Sequence, residues 1–142
     1  RYANIYGPRQ STKGEAGVVA IFLSLLLTGK TPVINGDGGQ TRDYVYVGDV
    51  VAANVAALDS SFIGAINIGT GVETDVVTIF QHLRQAVGSD REATHGPAKT
   101  GEQRRSCLDA RRAVHVLGWR PQVMLADGLQ RTAEYYRETM GR

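Results

Sequence analysis

Arg42 is the side chain in this 142-residue sequence best suited to hold an anion. It stands in the run GDGGQTRDYVYV, where a glycine-rich turn joins an alternating strand. A guanidinium is planar and presents paired N–H donors, the pattern that matches phosphate oxygens. From the residues alone two partners are open to it: a bound diphosphate, or the adjacent Asp43. A second basic group lies downstream, where Lys99, Arg104 and Arg105 surround Glu102. The two arginines read equally well as a solvated loop pair or as ligands. Asn4, just before Gly7-Pro8, either bonds its own turn or reaches a ligand. Tyr44 either packs against a nucleoside or packs in the core.

Other chemistry is excluded by spacing. His82, His95 and His115 fall on separate segments, and Cys107 is the single cysteine, so no metal site is expected. Cys107 beside Leu108 reads as a small core residue. None of Tyr2, Tyr6, Tyr44, Tyr46, Tyr135 and Tyr136 has a Lys four positions later, so the sequence lacks a Tyr-x-x-x-Lys pair. Gly69-Thr70-Gly71 follows an apolar segment, but no third glycine completes a dinucleotide-binding fingerprint.

The elements that must position these groups alternate between strand and helix. Residues 1–7 read as a strand stopped by Gly7-Pro8, and 9–15 as a polar loop. Val18, Ile21, Phe22, Leu25 and Leu26 follow helical spacing up to Gly29. Residues 31–35 are extended, 36–39 a turn, and 41–47 a strand with Tyr44 and Tyr46 on one face and Val45 and Val47 on the other. Asp49 stands as an N-cap for an Ala-rich helix ending near Leu58. Ala65 to Ile68 reads as a short buried strand. Thr74 or Asp75 caps a helix through Val87, closed by Gly88. Residues 89–107 read as loop. Asp109 caps a short helix ending at Leu117-Gly118, Trp119 fixes the following turn, and a last helix runs from Leu125 to Tyr136. The class is α/β.

Composition sets outer bounds. The apolar share of 42% argues against disorder, and the formal charge of +2, from scattered basic residues, does not suggest a nucleic-acid binder. The longest apolar run, Val18 to Leu27, is broken by Ser24 and too short to span a bilayer. With one cysteine, the expectation is a cytoplasmic protein without membrane partners. The opening RYANIYGPRQ reads as a strand already under way, so residues 1–142 are expected to form a single partial domain.

At RYANIYGPRQ, GDGGQTRDYVYVGDVVAAN, NIGTGVETDVVTIF, TGEQRRSCLDARRA and LGWRP, the sequence resembles the extended short-chain dehydrogenase/reductase family. Within it, the match is to the NAD-dependent nucleotide-sugar epimerases and dehydratases, nearest the UDP-glucose 4-epimerases. The resemblance covers the C-terminal, substrate-binding portion of that Rossmann-type fold, without the N-terminal dinucleotide-binding part. It implies that Arg42 contacts substrate phosphates and that Asn4 lies near phosphate or sugar. Lys99 stands where the family places a second phosphate-binding Arg, a departure that keeps the charge but loses the bidentate fork. Arg105, with Arg104, could compensate. Glu102 matches an acidic residue that accepts from ribose hydroxyls. Val33 and Ile34 match the segment lining the base, and Ala3 the position facing the nicotinamide.

The expected function is therefore the substrate-binding part of a nucleotide-sugar epimerase, not catalytic alone. NAD belongs to the parent family, and none is expected on this chain. A 4,6-dehydratase part, a UDP-sugar-binding module and a self-associating structural piece remain as alternatives. Tyr2, Ile5 and the Val18–Leu27 helix are expected to expose apolar surface and to drive homo-oligomerisation.

Overall fold

The computed structural model describes residues 1–13 and 16–140. Gly14 and Glu15, which end the expected loop 9–15, lie outside the described residues. The chain runs β1 (Asn4–Tyr6), α1 (Val18–Leu27), β2 (Val33–Asn35), β3 (Thr41–Tyr46), α2 (Val47–Leu58), β4 (Glu73–Asp75), α3 (Val76–Val87), β5 (Thr94–Gly96), α4 (Arg111–Leu117) and α5 (Leu125–Met140).

β3 is the central element. Its alternating residues serve two different cores, as a strand's period of two requires. β1 pairs with it in parallel, with Asn4 opposite Tyr44 and Tyr6 opposite Tyr46. β4 pairs with its other edge antiparallel, with Arg42 opposite Thr74. On one face, Tyr6 and Tyr44 join Phe22, Leu23, Ile79, Phe80, Leu83 and Leu129 from α1, α3 and α5. On the other, Val45 joins Val50, Ala53, Ile68, Ala113 and Trp119 around α2 and α4. Each fully buried Leu or Ile contributes roughly 1.5–3 kcal/mol of apolar transfer. A separate parallel pair, β2 with β5, stands apart from this sheet.

Most expected elements form, with shifts that tertiary contacts explain. Asp75 caps α3, accepting from the Thr78 amide at 2.7 Å, and Gly88 closes the helix in the left-handed region. Asp49 is not an N-cap. α2 begins at Val47, and the buried Asp49 carboxylate accepts from the Gln122 and Val123 amides at 3.1 and 3.0 Å. Trp119 does fix its turn, donating from Nε1 to the Asp49 carbonyl at 2.8 Å. Asp109 lies one residue before the α4 N-cap position, Ala110, and accepts from the Arg111 amide. The expected strand at Ala65 to Ile68 reduces to a single bridge between Tyr2 and Ile68. Within the expected loop 89–107, β5 is a strand held by β2 rather than by its own pattern. β4, over Glu73–Asp75, was likewise not expected; its edge is completed by β3.

One expectation about the surface is overturned and another holds in part. Cys107 is exposed rather than core. Tyr2 is exposed as expected and Ile5 half-buried, but α1 buries Val19, Ala20, Phe22, Leu23 and Leu26 against its neighbours and leaves Ile21 exposed. A more open apolar face lies on α2, where Val51, Val55 and Leu58 are exposed at helical spacing. None of the helices among the described residues is long and apolar enough to cross a membrane.

The strongest polar tie in the sheet is Asp43. Its carboxylate, almost fully buried on β3, accepts four hydrogen bonds: from the Thr70 amide and hydroxyl, the Gly71 amide and the Leu108 amide, at 2.6–3.3 Å. Removing it strands those buried donors, which costs more than the bonds themselves. Asp43→Ala should therefore lose about 3 kcal/mol or more of stability in urea denaturation. A loss under about 1 kcal/mol would refute this role.

Candidate functional site

Alternation along β3 places Arg42, Tyr44 and Tyr46 on the face opposite Asp43. Arg42 and Tyr44 open into a cleft of about 270 Å³, whose lining includes Asn4, Val18, Val33, Gln40 and Glu102. Asn4 stands beside Tyr44 because β1 and β3 pair those two residues. α1 closes one side of the cleft with its first turn. Its N-cap residue, Gly17, supplies no capping side chain, and no acidic residue lies in that turn. The helix therefore presents the positive end of its dipole to the same cleft.

Arg42 is already oriented. Nη1 donates to the Thr41 and Gln103 carbonyls, both at 2.7 Å, and Nη2 lies 3.7 Å from Glu102. It makes no pair with Asp43, whose side chain faces the other core. The local ion pair open in the sequence is thus excluded by the strand's alternation. Glu102 sits across the cleft mouth, an acceptor facing a row of donors.

The glycine turn plays a part that its sequence did not announce. Asp37 accepts a bidentate pair from Arg104, at 2.7 and 2.8 Å, and the Gly39 amide at 2.9 Å. A side chain at Gly39 would strike the Arg104 guanidinium at 2.6 Å. The turn is therefore a socket for Arg104 rather than a cradle for phosphate. Arg105 makes its own bidentate pair with Glu73, at 2.7 and 3.0 Å. Together these pairs fasten segment 97–105 across the cleft mouth, and the Thr41 amide adds a bond to the Arg104 carbonyl at 2.9 Å.

The structure thus gathers Asn4, Val33, Arg42, Tyr44 and Glu102 in one cleft. The other candidates lie elsewhere. Ile34 is buried in the core while its neighbour Val33 is exposed at the cleft, as alternation on β2 demands. Lys99 is exposed on segment 97–105 and does not line the cleft. Arg105 is committed to Glu73. Ala3 packs with the Val45 and Ile68 cluster, close to Gly69. Reasoning from sequence missed the α1 N-terminus and Gln40. The missing cap at Gly17 was the available signal for the first.

Gly69-Thr70-Gly71 cannot cradle a dinucleotide in this arrangement. The Thr70 and Gly71 amides, which would meet the phosphates, donate to Asp43 instead. Among the described residues no cluster of His, Cys, Asp and Glu is placed to hold a metal.

Larger surface grooves, of about 720, 730, 660 and 390 Å³, lie elsewhere among the described residues. None brings together the candidate residues, so size alone does not mark the site. Slight desolvation and the nearby Asp43 and Glu73 carboxylates push the Cys107 thiol up, which disfavours the thiolate.

Comparison with known proteins returns one consistent group. A family model described as "NAD dependent epimerase/dehydratase family" matches residues 1–69. A UDP-glucose 4-epimerase of Mycolicibacterium smegmatis is 52% identical over 136 residues, 95% of this chain and 44% of that protein. The crystal structure of UDP-glucose 4-epimerase from Thermotoga maritima with UDP-glucose superposes with a TM-score of 0.95 at 48% identity, covering 99% of this chain and 45% of that one. The Thermus thermophilus UDP-glucose 4-epimerase in complex with NAD gives 0.89 at 39% identity, covering 96% and 45%. The chain thus spans less than half the length of each of these relatives.

The ion pairs make a titration prediction. Arg105 holds the Glu73 carboxyl below the usual range, and Arg104 does the same to Asp37. Carboxyls lowered in the folded state contribute stability that is complete above their unfolded values, near pH ~4, and lost as pH falls through the lowered folded values. Carbon-13 NMR should find Glu73 titrating below the ordinary glutamate range, and Arg105→Gln should raise it. An unchanged midpoint in that variant would show that the pair does not persist in solution.

Proposed function

We propose that this chain is part of a protein of the NAD dependent epimerase/dehydratase family, which it resembles, and that its cleft holds the diphosphate and adjoining ribose of a nucleotide-sugar. The observation that carries this reading is the convergence on one cleft of the Arg42 guanidinium, the Asn4 amide and the uncapped N-terminus of α1. All are donors, and a phosphate accepts without donating. Glu102, opposite them, is placed to accept from ribose hydroxyls. Val33 supplies an apolar wall for the base.

The reading is of a UDP-sugar. It rests on likeness to epimerases, one of which was crystallised with UDP-glucose. At about 270 Å³ the cleft is at the small end for ligand pockets, so it suits part of such a molecule and leaves the sugar outside. In this reading Arg42, held by two carbonyls, meets the diphosphate without reorganising, and Glu102 yields its long contact to the incoming anion. Lys99 adds charge from segment 97–105 without fixing geometry.

NAD is implied by the family, and one similar structure contains it. The residues present do not fit it, because the Thr70 and Gly71 amides serve Asp43 and Ala3 packs inward. No redox step is therefore assigned to this chain, and the proposal is a binding role.

Calorimetric titration with UDP tests the reading. The chain should bind UDP, and Arg42→Ala should weaken binding by about 10- to 150-fold, the loss of one or two charge-assisted hydrogen bonds. No epimerisation of UDP-glucose is expected from the chain with added NAD. Absence of UDP binding, or turnover by the chain alone, would overturn the respective statement.

The exposed Val51, Val55 and Leu58 on α2 favour a second proposal, that the chain associates with itself through this face. Light scattering should report a dimer or larger species, reduced to monomer by Val55→Asp with Leu58→Asp. A monomeric parent chain would refute it.

A further inference from the structure

We propose that the Tyr44 hydroxyl is a binding group for the phosphoryl part of the ligand, donating to the same anion that Arg42 holds. This deepens the nucleotide-sugar reading above and rests on it.

The ring of Tyr44 has a structural role that needs no oxygen. It is 7% exposed, belongs to the larger core and meets Tyr6 edge-on at 6.5 Å between centroids. A Phe would pack the same way. The hydroxyl has no hydrogen-bond partner among the described residues, although buried Tyr hydroxyls normally find one. Tyr6 and Tyr136, in the same core, each donate to a backbone carbonyl, that of Leu125 and that of Gln10.

Nor is the hydroxyl sealed in. Among the described residues, the polar side-chain atom both closed to solvent and unpartnered is Gln10 Oε1. Tyr44 Oη therefore keeps access to solvent, and the open space beside it is the cleft it lines.

Its neighbours decide what it would bind. Arg42 lies two residues earlier on the same face of β3, and Asn4 is its partner across the sheet. Both are donors, as is the first turn of α1. Burial pushes the Tyr44 hydroxyl up to about 12, so it carries its proton at neutral pH and donates. A ligand group that accepts from all four and offers no proton is a phosphate. A ribose hydroxyl or a base edge would suit Glu102 on the other side.

The test compares UDP, inorganic pyrophosphate and uridine on the whole chain and on Tyr44→Phe. The variant should unfold at an unchanged temperature, bind UDP and pyrophosphate about 5- to 30-fold more weakly, and bind uridine as the parent does. Equal weakening for uridine would assign the hydroxyl to the nucleoside and overturn the proposal, as would unchanged UDP affinity. If the parent chain binds no UDP, the nucleotide-sugar reading falls with it. If the parent binds and the variant matches it, this inference alone falls. Should Tyr44→Phe fold poorly, the parent chain labelled with carbon-13 at the tyrosine ζ carbon supplies the second measurement. A Tyr44 signal that shifts with pyrophosphate supports the proposal, and one that shifts with uridine alone overturns it.

Discussion

The buried carboxylate of Asp43 is the interaction on which this structure turns. It binds three segments that are far apart in sequence: β3, the Gly69-Thr70-Gly71 loop and the chain at Leu108. An ionised group so deep in a protein is tolerated only when its lone pairs are filled, and here four donors fill them. The consequence for the site is geometric. With Asp43 locked on one face, Arg42 and Tyr44 must both project from the other. The same bonds occupy the Thr70 and Gly71 amides, so one contact both orients the cleft residues and closes off the loop as an alternative site.

Segment 97–105 depends on weaker forces. Its pairs, Arg104 with Asp37 and Arg105 with Glu73, are largely exposed, and such pairs add little stability and are screened by salt. Their geometry matters more than their energy. They keep Glu102 across the cleft mouth and bring the Gln103 carbonyl to Arg42. The left-handed backbone at Gly36 and Gly38 lets the turn fold close enough for Asp37 to meet Arg104.

Likeness to epimerases covers nearly all of this chain and less than half of each relative. That proportion frames what the cleft can be. In the proposed reading, Arg42, Asn4 and Glu102 form one wall suited to the charged middle of a nucleotide-sugar. α2 lies on the opposite side of the sheet, packing Val50 and Ala53 into the smaller core and leaving its apolar stripe exposed. The proposed binding cleft and the proposed association surface therefore lie on separate faces.

The sequence by itself determined much of the local structure: α1, α3 and α5 from periodicity, the Asp75 cap, the Gly88 stop and the alternation of β3. Each rests on contacts within a few residues or on a pattern repeated along one element. It also singled out Arg42, Asn4, Tyr44 and Glu102, largely through resemblance to a family. What it could not fix were contacts between distant segments. β4 and β5 are three residues each and carry no periodic signal, so they exist as strands only because β3 and β2 complete their hydrogen bonds. Asp49 looked like a cap because a carboxylate before an apolar run usually is one; folding brought the amides of Gln122 and Val123 to it instead. Ile34 left the site because alternation gave the cleft to Val33. Arg104 and Arg105 read as free cations until Asp37 and Glu73 arrived beside them. Local propensity is written in order along the chain, whereas the pairing of charges and strand edges is settled only when the chain closes on itself.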